Sequence, residues 1–132
     1  MRILVADDNQ DAAQTLATLL EMMGHHVQVA YDGGSALAAA SAFAPEAMIC
    51  DIGMPGLDGY SVASRLRETL SDAPPPLMIA CTGYGNSGDV SKSMAAGFHH
   101  HLTKPASIDE LLGLLDAGAQ SVRGAGTAGR PA

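Results

Sequence analysis

The chain has 132 residues, of which 47% are hydrophobic and 4% aromatic, and its 7 Lys and Arg leave a formal net charge of −7. This length suits one domain with a core of aliphatic side chains, and so few basic residues argue against direct binding of nucleic acid, which relies on Lys and Arg. No apolar stretch approaches the ~18 residues of a membrane span, and the opening MRILVADDNQ has no signal-peptide pattern, so we expect a cytoplasmic protein that does not enter a membrane.

Strand and helix patterns alternate along the first half of the chain. Apolar runs predict strands at residues 2–7 and 47–51, and an alternating pattern predicts a strand nearer the sheet edge at 26–30. Apolar residues at helical spacing predict helices at 11–23 and 35–43, which end before a glycine and a proline.

The second half continues this alternation. An amphipathic pattern predicts a helix at 60–70, and the three prolines in 72–76 predict a loop. The remaining predicted elements are strands at 77–82 and 100–103 and helices at 89–96 and 107–119, the last of them capped by Ser107 with Glu110. Residues 120–132, rich in Gly and Ala, are expected to form a disordered tail or linker.

Five successive strand–helix units of this kind predict an α/β domain over residues 1–119. The alternation is typical of a mostly parallel sheet with helices on both faces. Strands that are apolar throughout, rather than alternating, are what a sheet covered on both faces needs.

Polar residues follow the apolar strands at the points where the strands end. The first strand ends in Asp7 and Asp8, the third in Asp51, the fourth in Thr82, and the fifth is followed by Lys104. The carboxyl ends of parallel strands lie at one edge of the sheet, where open α/β sheets bind their ligands. We therefore expect three carboxylates, a hydroxyl and an ammonium group in one pocket.

This set of groups fits phosphoryl transfer to a carboxylate. Carboxylates this close repel one another, and Mg²⁺, which prefers oxygen ligands, relieves the repulsion. Lys104 adds a positive charge that a metal site alone does not need. A cation, a lysine and a hydroxyl around a carboxylate are suited to forming an aspartyl phosphate, because phosphoryl transfer is catalysed mainly by neutralising charge on the transferred oxygens.

Four segments in order carry a resemblance to a known family. They are ILVADDN, DIGMPGLDG, CTGYG and AGFHHHLTKP, with 44 residues from Asp7 to Asp51, 31 on to Thr82 and 22 on to Lys104. In these segments the chain resembles the response-regulator receiver domain of two-component signalling. The resemblance implies a flavodoxin-like, doubly wound five-stranded sheet of strand order 2-1-3-4-5.

The resemblance also implies a role for each matching residue. Asp51 is the expected phosphoacceptor, and Mg²⁺, or Mn²⁺ as a substitute, is expected on Asp8, on Asp7 through water, on Asp51 and on the carbonyl of Gly53. Thr82 is expected to bind the phosphoryl oxygens and to act as a switch, with Gly83 beside it leaving access open. Lys104 is expected to pair with the phosphoryl group and to precede a cis bond to Pro105.

The implied function is a signalling switch that catalyses its own phosphorylation and slow dephosphorylation, not a metabolic enzyme. The donor is expected to be a histidine kinase or a histidine phosphotransfer protein, and the affinity for an unidentified downstream protein then changes. The output surface is expected around the helix 89–96, the strand 100–103 and the helix 107–119, a face that also leaves dimerisation open. The chain fits either a stand-alone regulator or the receiver of a hybrid kinase.

The tract His99-His100-His101 departs from the family pattern. Alternate side chains of a strand face opposite ways, so the three histidines are not expected to share a metal. His101 stands where the family usually has Tyr or Phe, which puts the usual aromatic coupling to Thr82 in doubt. Our hypothesis is that His101 is a switch residue that makes the output surface sensitive to pH near neutrality.

Three other classes of function fit these residues less well than a receiver does. A constitutive interaction module of the same fold need not retain all of Asp7, Asp8, Asp51, Thr82 and Lys104. A phosphohydrolase with an aspartyl intermediate typically has a second acid two residues after the nucleophile, where this chain has glycine. A flavin-binding protein needs a Gly-, Ser- and Thr-rich loop after the first strand, where the sequence is Asp-Asp-Asn-Gln.

Overall fold

The computed structural model describes residues 1–54, 59–69, 76–82, 94–103 and 107–126. The strands are β1 (Arg2–Ala6), β2 (His26–Ala30), β3 (Ala47–Asp51), β4 (Leu77–Thr82) and β5 (His100–Thr103). The helices, numbered here as they occur in these ranges, are α1 (Gln10–Met22), α2 (Gly33–Phe43), α3 (Gly59–Thr69) and α4 (Ile108–Gly126). Residues 94–96 are also helical.

The five strands form one parallel sheet of order β2-β1-β3-β4-β5. The register pairs Ala6 with Ala30 and with Cys50, Asp51 with Cys81, and Thr82 with Thr103. The predicted fold class and strand order are therefore confirmed. β2 and β5 lie at the edges, and β3 in the centre is buried along its whole length, as its apolar sequence requires.

Two hydrophobic clusters cover the two faces of the sheet. One, the α1–α4 cluster, includes Ile3 and Val5 of β1 with Leu20 of α1 and Leu111 of α4. The other, the α2–α3 cluster, combines strand, α2 and α3 side chains, namely Leu4, Met48, Ala80, Ala36, Ala40, Val62 and Leu66. Since neighbours on a strand face opposite sides, successive residues of each central strand contribute alternately to the two clusters.

The predicted elements agree closely with the observed ones. The strands at 26–30, 47–51, 77–82 and 100–103 are confirmed, and β1 ends one residue before its predicted end. Ser107 caps α4, because its Oγ accepts a bond of 3.4 Å from the Glu110 N–H. The predicted loop at 72–76 and the start of the helix at 89–96 lie largely outside the described residues.

The last helix is longer than predicted. α4 continues to Gly126, seven residues beyond residue 119, so 120–126 are helical rather than part of a disordered tail. The Gly- and Ala-rich composition suggested disorder, but alanine is the strongest helix former, and isolated glycines are tolerated once a helix has begun. The end of the domain at 119 stays a prediction. Within the described ranges, no helix has the length and apolar character needed to cross a membrane.

Candidate functional site

Strand register brings the acidic residues together at the carboxyl edge of the sheet. Ala6 of β1 pairs with Cys50 of β3, so Asp7 and Asp51, which follow them, leave the sheet side by side. Asp51 in turn lies opposite Cys81, next to Thr82. The predicted convergence of strand ends is therefore found for Asp7, Asp51 and Thr82.

Asp51 is a buried carboxylate in a well-defined backbone setting. Its side chain is 8% exposed, and Oδ1 accepts a bond of 3.1 Å from the Gly53 N–H. The N–H of Ile52 donates to the Cys81 carbonyl at 3.0 Å, which extends the β3–β4 ladder past Asp51. These bonds fix the direction in which the carboxylate leaves the sheet.

Asp7, Asp8 and Asp51 form an acidic cluster. Each offers one carboxylate oxygen, and the three oxygens lie within 4.8 Å of one another. Asp51 is buried, Asp7 is half-buried and Asp8 is exposed, so the cluster opens to solvent on one side. Such a set of oxygen donors suits a hard divalent cation and could hold a metal ion.

The loop between β1 and α1 is organised by Asn9, which the sequence reading did not single out. The Asn9 N–H donates to Asp7 Oδ1 at 2.9 Å, and the Asn9 side chain accepts from the Ala12 N–H at 3.1 Å as the N-cap of α1. This cap places Asp7 and Asp8 before the helix rather than in its first turn. The sequence did carry a signal for this cap, because an asparagine three residues before the first apolar residue of an amphipathic pattern is a typical N-cap.

The other predicted site residues divide into two groups. Thr82 is 6% exposed at the end of β4. His101 is half-buried on β5, and its buried Nε2 has no hydrogen-bond partner within the part of the chain that the structure describes. The predictions for Gly83, Lys104 and Pro105 lie outside the described residues.

A cavity of about 730 Å³ opens beside the acidic cluster. Its polar end includes Asp7, Asp11 and Asp51, and its apolar wall consists of α1 and α4 side chains, among them Leu16, Leu19, Ile108 and Leu111. The volume lies within the usual range of ligand pockets, roughly 300–1,000 Å³. Asp51 is therefore among the residues that line a cavity between the two helices.

Solved structures resemble the chain over most of its length. The receiver domain of the Francisella response regulator 1452 has a TM-score of 0.80 and 30% identity, over 91% of this chain and 98% of that chain. A response regulator protein from Burkholderia pseudomallei, solved with a phosphorylated aspartic acid, calcium ion and citrate, has a TM-score of 0.78 and 29% identity. The match covers 98% of this chain and 75% of that one.

Sequence comparisons agree with these structures. The response regulator MprA of Mycobacterium avium (strain 104) is 34% identical over 117 residues, which is 89% of this chain and 50% of that protein. The chain thus spans about half the length of the curated relatives that it matches. A family model for the response regulator receiver domain matches residues 3–116. With its strand order and its acidic cluster, the chain therefore belongs to the response-regulator receiver domains, the signalling switches of two-component systems.

Proposed function

We propose that this receiver accepts a phosphoryl group on Asp51 in a reaction that depends on Mg²⁺. The observation that carries the proposal is the geometry of the buried Asp51 carboxylate. One of its oxygens lies within 4.8 Å of oxygens from Asp7 and Asp8, and the carboxylate lines a cavity open to a donor. The phosphorylated aspartic acid and calcium ion of the Burkholderia pseudomallei relative support the same chemistry here.

The proposed metal ligands are Asp8, Asp7 through water, Asp51 and the Gly53 carbonyl, with Mn²⁺ able to replace Mg²⁺. A bound divalent cation would neutralise negative charge on the transferred oxygens. Asp7 keeps one oxygen on the Asn9 N–H, which orients its carboxylate. Within the cluster, exposed Asp8 is the residue most open to an incoming hydrated ion.

In the proposed reaction a carboxylate oxygen of Asp51 attacks the phosphorus of a phosphohistidine. A new O–P bond forms, the P–N bond breaks, and its electron pair stays on the leaving imidazole nitrogen. Lys104 and the Thr82 hydroxyl would bind the phosphoryl oxygens, and Gly83 would leave their approach open. Hydrolysis of the acyl phosphate by water would later restore Asp51 and release inorganic phosphate.

The shape of the cavity supports a protein as the phosphoryl donor. Its wall between α1 and α4 is mainly apolar, which suits an amphipathic helix of a partner better than a small charged metabolite. A histidine kinase or a histidine phosphotransfer protein that presents its phosphohistidine on such a helix would reach Asp51. We propose that this reaction takes place in the cytoplasm.

The proposed output is a change in affinity for a downstream protein. Thr82 and His101 are the proposed switch residues. The proposed contact face is the surface around the predicted helix 89–96, β5 and α4, and it also leaves dimerisation open. A stand-alone regulator and a receiver from a hybrid kinase would use the same switch.

The test is the mass of the intact protein after incubation with acetyl phosphate, with and without Mg²⁺. Wild type should gain one phosphoryl group when Mg²⁺ or Mn²⁺ is present and none after chelation. Asp51→Asn removes the nucleophile at nearly constant volume and should gain none. Asp8→Asn should require a higher Mg²⁺ concentration, because it removes the charge of one proposed ligand.

Asp109→Asn is the matched control, since Asp109 is an exposed acid in the first turn of α4, and it should behave as wild type. An adduct that persists in Asp51→Asn would overturn Asp51 as the acceptor. No adduct in wild type, together with no binding of beryllofluoride, would instead indicate an interaction module that works without phosphate.

A further inference from the structure

His99 makes two hydrogen bonds to one residue of the neighbouring strand. Its backbone N–H donates to the Met78 carbonyl at 2.8 Å. The Met78 N–H in turn donates to His99 Nδ1 at 2.9 Å. Both backbone groups of Met78, a residue only 4% exposed, are thus satisfied by His99.

The imidazole takes the place of a missing strand carbonyl. The β4–β5 pairing begins with Ile79 opposite His100, one residue further along. Before it, Gly97 has φ +119° and turns the chain away from the sheet, so the backbone that precedes His99 does not continue the ladder. A buried N–H without an acceptor costs free energy, and His99 Nδ1 supplies the acceptor.

This bond requires a neutral imidazole. Nδ1 can accept the Met78 N–H only when it carries no proton, so the proton of the neutral ring lies on Nε2. Once protonated, Nδ1–H would face Met78 N–H, donor against donor. Desolvation of the partly buried ring first, and then the charge of neighbouring His100, lower the pKa of His99 from 6.5, although the residue as a whole is exposed.

We propose that His99 is a pH-controlled latch that holds the start of β5 to β4 while its imidazole is neutral and releases it on protonation. The sign follows from the lowered folded-state pKa. The stabilisation is fully present above 6.5, the unfolded value, and is lost as the pH falls through the lower folded value. Acidification therefore loosens this end of β5, and the bond is intact at neutral pH and above.

The groups around the latch do not replace this bond. Arg67 on α3 donates to the Ala95 carbonyl at 3.1 Å. Glu46, before β3, accepts the Leu77 N–H through its backbone carbonyl at 2.9 Å. The other titratable side chains described on β4 and β5 are Cys81, His100 and His101. His100 pairs with Ile79 and His101 with Ala80, so both lie further along the β4–β5 ladder than Met78.

The His99 latch lies at the start of β5, and the acidic cluster lies at the other end of the strand. The inference about His99 is independent of the proposed phosphorylation. β5 carries His101, and Lys104 follows it directly in the sequence. A change in the anchoring of β5 therefore reaches the strand that bears a proposed switch residue. A lower pH would in this way change the affinity of the output surface for a downstream protein, independently of the phosphoryl group.

The test is hydrogen exchange of the Met78 amide in the full chain by NMR, corrected for the intrinsic pH dependence of exchange. Between about pH 7.5 and 5.5, protection of Met78 in wild type should fall by up to about tenfold relative to the Ile49 amide of β3. In His99→Asn the asparagine Oδ1 can accept the Met78 N–H in place of Nδ1 and does not titrate. The protection of Met78 relative to Ile49 should therefore stay constant between the two pH values. In His99→Ala it should be low at both pH values.

His100→Asn is the matched control, because it removes the neighbouring charge and keeps the latch. Its Met78 protection should still fall on acidification, at a higher pH than in wild type. A parallel change of Met78 protection in wild type and His99→Asn would overturn the proposal. So would imidazole ¹⁵N shifts that place the proton on Nδ1 at pH 7.5, a measurement on wild type that needs no variant to fold.

Discussion

Gly59, the first residue of α3, lies directly against the backbone that carries the proposed phosphoacceptor. A Cβ at this position would lie 2.9 Å from the Asp51 carbonyl oxygen and 2.8 Å from Ile52 Cδ1. The Gly59 N–H also donates to the Ile52 carbonyl at 3.2 Å. Because a backbone carbonyl in a sheet cannot move aside cheaply, this position requires the absence of a side chain.

Gly59→Ala should lower the free energy of unfolding by about 1–3 kcal/mol, the usual cost of overpacking. It should also slow phosphorylation by acetyl phosphate, since the added methyl pushes on the Asp51–Ile52 backbone. Gly113→Ala is the control, because nothing lies within 4 Å of a Cβ there and alanine favours a helix by up to about 1 kcal/mol. Urea denaturation of both variants checks this, and a Gly59→Ala protein as stable as wild type would contradict it.

His101 is a second residue whose replacement should be informative. Its Nε2 is buried without a hydrogen-bond partner among the described residues, a condition that costs roughly 1–3 kcal/mol for a buried polar group. His101→Phe should therefore raise the free energy of unfolding by about 1 kcal/mol. Chemical denaturation measures the change.

The same variant tests the hypothesis that His101 makes the output surface sensitive to pH. If it does, binding of a downstream partner should differ between mildly acidic and mildly alkaline buffer in wild type and not in His101→Phe. Equal binding by wild type in both buffers would remove this role. The His99 latch stays in place in His101→Phe, so its effect on Met78 exchange is measured separately.

At the level of elements, α2 is held at its start by Asp32. Asp32 Oδ1 accepts the Ser35 N–H at 2.7 Å, and Oδ2 accepts the Ser35 hydroxyl at 3.1 Å. The backbone bond to Ser35, followed by the hydroxyl bond, lowers the pKa of Asp32 from 3.8. The cap thus stabilises the fold fully above this value and is weakened as the pH falls through the lower folded-state pKa.

Asp32→Ala should lower the thermal midpoint at neutral pH, because α2 loses its N-cap acceptor. Asp32→Asn keeps an acceptor that does not titrate, so its midpoint should depend less on pH than that of wild type between about pH 5 and 2.5. Circular dichroism at several pH values measures both effects. Identical pH dependence in wild type and Asp32→Asn would show that the cap does not respond to protonation.

At the scale of the whole molecule, one sheet carries two hydrophobic clusters. Ile3 and Leu4 are neighbours on β1, both 0% exposed, and they belong to the α1–α4 and the α2–α3 cluster respectively. Tyr31 packs against the first cluster and Tyr60 against the second. Since β1 belongs to both layers, neither layer is expected to unfold alone.

Ile3→Ala and Leu4→Ala should each lower the free energy of unfolding by about 2–5 kcal/mol, the usual cost of such a truncation in a core. Unfolding should remain one transition in both variants. Far-ultraviolet circular dichroism compared with tyrosine fluorescence checks this. Two separated transitions in either variant would show that the faces unfold independently.

The strands and the outline of the site follow from the sequence because both depend on local patterns. Continuous apolar runs are required of strands covered on both faces, and four of the five strands have their predicted bounds. Asp7, Asp8 and Asp51 were expected together because parallel strands end at one edge, and their oxygens do lie within 4.8 Å. Neither inference needs to know which side chains touch across the sheet.

Tertiary structure alone decided the features that join residues distant in the sequence. The sequence around Gly59 does not predict that a Cβ there would lie 2.9 Å from the Asp51 carbonyl oxygen. The sequence around His99 likewise does not predict its hydrogen bond with the Met78 N–H. The cap at Asn9 and the extension of α4 to Gly126 are local features instead, and they were not predicted because capping and helix extension depend on small differences in free energy. The sequence by itself therefore determined the class of protein and its acidic cluster, while packing determined which atoms hold that cluster and β5 in place.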